Sequence, residues 1–427
     1  PIQMVSQTWD DHDRSGRYTC RDFGKNYLTS VDENGIIFTN GDNDTFPLWY
    51  AQETEGYRTD VRVCNLSYLQ TDWYVNQMKS QAYESDPLPI SMEELQYGNK
   101  KREYAYILDR VDYPVSVKMA MDYFLSDDER TKTIPGYGKI NHLPTGELFI
   151  DIDKEKILKS GIVPKGYEDK IVDRIDLSFK DKNTLILNDL AIIDLLSTNA
   201  ETGWKRPVYF ATTVDPSFFT ETDKYFMRTG MAYEVVPVKL ENTPGRYQVN
   251  TDKMYDNVMN KFVWGGIDVN PDIYLDETIR RMCYSYRIMF IDLIDQLIQE
   301  GKTDKALKAL DYCMEKIPGD VVPHNYISLQ LAMDYYFLKQ NEKGKALLEK
   351  IADSAIEYVT WINSLDNNKK RSVQRDYYYN ERALAEQAIP MFYRFGDEES
   401  GKKYLEKAAL AGVDINRYFK IDTSKTN

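Results

Sequence analysis

Two short polar segments hold the side chains best suited to chemistry in this chain. Gly41-Asp42-Asn43-Asp44-Thr45-Phe46-Pro47 sets two carboxylates and an amide within three positions. Thr71-Asp72-Trp73-Tyr74 places a third carboxylate beside two aromatic rings. Such a grouping suits a carbohydrate or peptide subsite, since hydroxyls and cationic groups donate to the carboxylates while apolar carbon packs on the rings. Two carboxylates at a helix start repel phosphate, so a bare phosphate cradle is disfavoured despite the helix dipole. No cofactor is expected, a divalent cation shared by Asp42 and Asp44 being the unfavoured exception. A plainer use is structural: Asp44 or Thr45 caps the helix, Pro47 lies in its first turn, and Gly41 makes the bend. A third stretch, Trp9-Asp10-Asp11-His12-Asp13-Arg14-Ser15-Gly16-Arg17-Tyr18, adds His12 and Arg14 as candidate ligand-binding residues. His12 has no acid–base partner at fixed spacing, and a lone His among charges is more often a surface residue.

Other searches return nothing. His12, His142 and His324 show no metal-binding spacing, and Cys20, Cys64, Cys283 and Cys313 offer no CxxC pair, so neither zinc nor a disulfide framework is expected. The four cysteines read as small buried hydrophobes. There is no nucleophile elbow. Gly301-Lys302-Thr303 ends like a phosphate loop but has Gln296 where the first glycine must stand, and Gly136-Tyr137-Gly138 lacks the third glycine of a dinucleotide fingerprint. No catalytic residue is assigned.

The elements that must position the two segments alternate. Ile36–Asn40 is strand-like, Thr45–Gly56 helical, Val61–Leu66 strand-like, and Thr71-Asp72 opens another helix through Met78. Short connections in that order imply parallel pairing, which puts both polar segments at the carboxyl edge of one sheet, where open α/β folds bind ligands. Further strands are expected at Arg102–Leu108, Glu147–Ile152, Asp173–Phe179 and Pro207–Ala211, with helices from Pro114 and over Asp189–Thr198. The expectation is an α/β domain over residues 1–240 with a mainly parallel, Rossmann-like sheet, then a linker over 241–272 marked by Pro244-Gly245, Gly265-Gly266 and Asn270-Pro271.

From Leu275 the pattern is helical only. Gly344-Lys345-Ala346-Leu347-Leu348-Glu349-Lys350 matches Gly401-Lys402-Lys403-Tyr404-Leu405-Glu406-Lys407, and Asp304–Leu310 is a third relative. Leu293 and Leu297, followed by Ala306, Leu310, Cys313 and Pro318, fit a helix–turn–helix unit, so residues 273–427 are expected to form a tetratricopeptide-like all-α repeat domain. A generic antiparallel bundle is the alternative.

Charge and hydropathy bound the partners. Lys+Arg number 54 and Asp+Glu 68, giving 54 − 68 = −14. That balance disfavours nucleic acid and anionic lipid surfaces, which both require clustered cations. Leu190–Ile193 and Ile288–Ile291 are the strongest apolar runs and each is cut by an aspartate, so no spanning helix is expected. The chain opens Pro1-Ile2-Gln3, which reads as a piece cut from a longer protein or one whose targeting segment has been removed.

The segment Gly41–Gln52 with Glu55–Val63, together with Asp11–Tyr18 and Thr71–Tyr74, carries a resemblance. The chain resembles the extramembrane C-terminal region of a Bacteroidetes-type family of large membrane proteins grouped with protein O-mannosyltransferases, and a related eukaryotic membrane O-mannosyltransferase shares the layout. The resemblance spans essentially the whole chain. It implies a periplasmic module on the inner membrane, joined to an upstream transmembrane region that carries the catalytic Asp and the lipid-linked donor site. No catalytic residue is carried over. Three functions follow as expectations. The first is a non-catalytic module binding acceptor polypeptide or glycan. The second is an envelope scaffold acting through its helical repeats. The third is a sugar-processing enzyme at the Asp42/Asp44 edge.

Overall fold

The computed structural model describes residues 3, 6–8, 14–136, 138–373 and 375–413. The chain divides into two compact units, one of Tyr18–Gly265 and one of Pro1–Arg17 with Gly266–Asn427.

The first unit is built on a six-stranded sheet whose strands are β1 (Ile36–Thr39), β2 (Arg62–Asn65), β3 (Val208–Ala211), β4 (Phe226–Arg228), β5 (Ala232–Val235) and β6 (Gln248–Val249). Their order is β6-β4-β5-β3-β1-β2. Strands β3, β1 and β2 run parallel, with Ile36 opposite both Val208 and Arg62. Strand β5 is antiparallel to β3 and to β4, and β6 is parallel to β4. The expected parallel core is present, but the sheet as a whole is mixed. The β-branched and aromatic runs of the inner strands β1 and β3 are buried on both faces, as central parallel strands must be, and the edge strand β2 is buried as well. Two smaller three-stranded sheets use Tyr104–Ile107, His142–Leu143 and Thr184–Ile186, and Val115–Ser116, Glu147–Asp151 and Arg174–Ser178.

Helix α1 (Thr19–Thr29) packs on α2 (Asp42–Glu55), and α3 (Asp72–Met78) follows β2 through a single 3₁₀ turn. Helix α4 (Leu187–Glu201) is buried almost along its whole length, which matches its all-round apolar sequence. The helix expected from Pro114 begins instead at Val117, because the Ser116 side chain accepts the Met119 amide and so fixes the cap there.

The expected linker is corrected. Residues 241–265 carry β6 and α5 (Thr251–Asp256), and β6 joins the sheet edge by pairing Met227 with Gln248 and Arg228 with Val249. Backbone pairing thus extends the first unit to Gly265. The described residues before Tyr18 fall with the helical unit, where Arg17 Nη1 lies 3.4 Å from Asp276 Oδ2.

The second unit is helical, and among the described residues none from Leu275 to Ala411 is in a strand. Its main helices are α6 (Glu277–Gln299), α7 (Thr303–Lys316), α8 (Tyr326–Phe337), α9 (Asn341–Ser364), α10 (Arg375–Arg394) and α11 (Glu398–Leu410). Buried Cys283, Tyr286, Phe290, Leu293 and Leu297 follow helical spacing on α6, and Ala306, Leu310 and Cys313 do so on α7. Cys64, Cys283 and Cys313 are buried as expected, whereas Cys20 is exposed.

Candidate functional site

The polar segment after β1 is bent by Gly41, whose φ of 92° and ψ of −170° suit glycine alone. Helix α2 then starts at Asp42, earlier than expected, so Pro47 sits in the helix interior and not in the first turn. No side chain caps the helix. Asp44 is buried instead, and its Oδ2 accepts the Asn40 amide at 2.9 Å and the Thr213 hydroxyl at 2.9 Å. Its Oδ1 is enclosed without a hydrogen bond of normal geometry, although the amides of Asp44 and Thr45 lie near enough to favour the carboxylate. Burial outweighs these donors and pushes the Asp44 carboxyl above its ordinary range. Thr45 bridges the strand ends: its hydroxyl lies 2.8 Å from that of Thr39 and accepts from Asn65 Nδ2 at 2.9 Å.

Asp42 and Asn43 are exposed at the start of α2. Asp72 accepts the Trp73 amide at 2.8 Å and the Asn99 amide at 3.0 Å, which ties the start of α3 to a segment distant in sequence. Tyr74 is buried with its hydroxyl accepting the Asn65 amide at 3.0 Å, while Trp73 is 54% exposed. Arg14 is exposed and belongs to the other unit, and His12 lies outside the described residues. Among the described residues no group of three or more His, Cys, Asp or Glu side chains is placed to hold a metal ion.

Trp73 and Tyr74 therefore separate from the acidic residues and belong to a different feature. They line a cleft of about 430 Å³ along the open edge of β2, walled by α2, α3 and the loop at Ala82–Ser85. None of Asp42, Asn43, Asp44 or Asp72 lines it. Aromatic rings run in a continuous series across its mouth. Phe46 stacks on Trp49 with centroids 5.7 Å apart, Trp49 on Tyr68 at 6.2 Å, and Tyr68 contacts Trp73 at 6.1 Å and Tyr74 at 5.6 Å. Phe46, Tyr68, Trp73 and Tyr83 are all more than a third exposed, which is unusual for rings that could have joined a core. Hydrogen-bonding groups sit among them, including Gln77 and Glu53, the latter accepting from the Tyr83 hydroxyl. The edge itself is trimmed: Gln52 Nε2 donates to the Val61 carbonyl at 2.8 Å and the Tyr74 hydroxyl takes the Asn65 amide. Sequence reading found two of the rings. Phe46, Trp49 and Tyr68 were missed as site residues because their alignment depends on α2 and the 3₁₀ turn lying side by side, though all three fall within five positions of the quoted motifs.

Architecture and cleft define an α/β domain with an aromatic-lined groove on a free sheet edge, joined in sequence to a helical unit. By its sequence the chain belongs to the family described as TMEM260-associated domain 2, which matches residues 20–253. That span lies within the first unit and reaches into α5, in keeping with the corrected boundary. It bears out the expected association with a protein of O-mannosyltransferase type at that coarse level. No curated protein and no solved structure matches the chain. Among the described residues no helix is long and apolar enough to cross a membrane.

Proposed function

We propose that this chain is a non-catalytic extramembrane module of a membrane-bound protein O-glycosyltransferase, O-mannosyltransferase-like, and that it binds the saccharide of a glycosylated acceptor in the aromatic cleft. The single observation behind the binding role is the exposed ring series from Phe46 to Trp73 beside hydrogen-bonding groups. Sugar rings present one apolar face and a rim of hydroxyls, and a cleft with stacked aromatic walls and a few polar side chains is complementary to that shape. Family membership supports the association with the transferase. In this reading the upstream transmembrane region supplies the chemistry and the module stands on the periplasmic side of the inner membrane.

A second reading has one specific observation in its favour. Gly344 packs under the ring of Tyr336 and Gly401 under that of Tyr393, so the same contact recurs in the helical unit. Recurring helix-pair contacts of this kind favour tetratricopeptide-like repeats, which bind extended segments on a concave surface. The helical unit then acts as a scaffold for an envelope partner.

Tryptophan emission separates the readings, since Trp49 and Trp73 both line the cleft. Titration with methyl mannoside should change their emission, and Trp73→Ala should abolish the response while leaving the unfolding midpoint within the range of a surface substitution. Absence of any response to mono- or oligosaccharides would remove the glycan reading, and turnover of an activated sugar by this chain alone would remove the non-catalytic one.

A further inference from the structure

The cleft holds one buried cation that has no ion-pair partner among the described residues. Arg62, on the open strand β2, lines it and is only 5% exposed. Its Nη2 donates to the carbonyls of Ser80 and Met78. Its Nε is buried without a partner, and Nη1 has no hydrogen bond among the described residues. No carboxylate lies within ion-pair distance of it among the described residues, in a chain whose acidic residues outnumber its basic ones by 68 to 54. The one carboxylate among the lining residues, on Glu53, accepts from the Tyr83 hydroxyl. A second guanidinium, on Arg206, adds repulsion and not relief. Its donors are taken by the carbonyls of Asn34, Asp86 and Pro87 and by the Ser85 hydroxyl.

A buried guanidinium without a counter-charge is costly, because lost hydration is returned neither by an ion pair nor by a full set of acceptors. Burial holds Arg62 below the ordinary arginine range, and burial together with the charge of Arg62 brings Arg206 down to about 10. An apolar residue of the same reach would be cheaper at this position, unless something occupies the cleft. The guanidinium fork matches planar or tetrahedral oxyanions. Arg62 is the one cation among the residues lining the cleft, where its neighbours are largely aromatic faces, so the anion must be carried on a body that stacks.

We propose that the aromatic cleft is selective for an acidic saccharide, a sugar bearing a carboxylate or a phosphate ester, whose anion pairs with the Nη1 end of the Arg62 guanidinium while its ring lies against Trp49, Tyr68 and Trp73. The inference rests on the glycan reading of the same cleft and sharpens its ligand class. Glu53 and Gln77, which line the same cleft, are then available to accept from and donate to ring hydroxyls, and Glu53 forms no ion pair with Arg62 among the described residues. The carboxylate and the phosphate ester are two sources of one chemistry, and both are tested.

Calorimetric titration of the full chain with methyl mannoside, mannuronate and mannose 6-phosphate decides the matter. The acidic sugars should bind about tenfold tighter than the neutral one, the worth of one charge-assisted pair. In Arg62→Met that preference should vanish while the neutral affinity stays, and in Arg62→Lys it should fall, because an ammonium keeps the charge but not the fork. Inorganic phosphate should compete with both acidic sugars in the parent, a measurement that holds even if Arg62→Met fails to fold. Equal affinity for acidic and neutral sugars in the parent, or a preference that survives Arg62→Met, overturns this inference and leaves the glycan reading standing. An acidic tetrapeptide that binds where neither acidic sugar does overturns the saccharide class. Failure of every sugar to bind removes both.

Discussion

A β-carbon placed on Gly24 would lie 2.5 Å from the carbonyl carbon of Pro47. The two residues thereby set the separation of α1 and α2. Pro47 lacks an amide proton in mid-helix, and its carbonyl turns against the only residue of α1 small enough to admit it. Gly24→Ala forces the helices apart at the base of the aromatic series. The expected loss is about 1–3 kcal/mol, the usual cost of overpacking. A denaturation midpoint unchanged from the parent would show that the two helices are free to separate.

Asp44 offers the cleanest separation of a structural carboxylate from a ligand-binding one. Its Oδ2 satisfies the Asn40 amide and the Thr213 hydroxyl, which ties α2 to the ends of β1 and β3. Asp44→Ala leaves both donors without their acceptor and should cost about 1–3 kcal/mol. The saccharide response of Trp73 in the folded variant should persist, since Asp44 does not line the cleft. Loss of that response at temperatures well below the midpoint would return Asp44 to the site.

Asp334 should make the helical unit less stable as pH rises. Burial, and then the like charge of Asp295, push its carboxyl up to about 7, with Gln330 Nε2 donating to Oδ1 at 2.8 Å and Oδ2 enclosed without a partner. Near pH 3 the folded and unfolded states are both largely protonated there. Between pH 4 and 7 the folded state keeps a proton that the unfolded state has lost, so stability falls by at most about 1.4 kcal/mol per pH unit. Above pH 7 the contribution is flat. Asp334→Asn removes this slope. Its midpoint should match the parent near pH 3 and exceed it at pH 8, and a difference independent of pH would refute the assignment.

What was legible in the sequence followed from periodicity and local chemistry. The β1–α2–β2–α3 order and the parallel pairing of β1 with β2 were readable, because alternating buried runs with short connections leave little choice. The antiparallel half of the sheet was not: β4, β5 and β6 are two to four residues long, and their pairing depends on contacts between distant segments. Gln248-Val249 reads as linker because two residues carry no period. At the site, Trp73 and Tyr74 were found through their neighbour Asp72, yet the acidic residues that drew attention serve the turn. Arg62 could not be singled out, since an arginine in a strand is ordinary until its missing counter-charge is seen.

The repeated glycines of the helical unit allow a test of whether its two later helix pairs are equivalent. A β-carbon on Gly344 would come within 2.9 Å of the Tyr336 ring, and one on Gly401 within 2.6 Å of Cζ of Tyr393. The tyrosines, like the glycines, are 57 residues apart (393 − 336 and 401 − 344). Each ring belongs to the helix that precedes its glycine, α8 before α9 and α10 before α11. The polar contacts around the two pairs do not share that offset: Tyr335 and Lys343 reach Asp311, whereas Tyr404 and Lys407, both beyond Gly401, reach Asp353. Gly344→Ala and Gly401→Ala should each destabilise by about 1–3 kcal/mol, with the larger loss at Gly401, where the space is tighter. Pairing Gly401→Ala with Tyr393→Leu should recover part of the loss, because the smaller side chain makes room for the methyl group. Hydrogen exchange of α9 and α11 reads the effect locally. Protection lost in α9 from Gly344→Ala and in α11 from Gly401→Ala is the expected result, whereas loss confined to one helix whichever glycine is changed would mean that only one of the two contacts is a structural repeat unit.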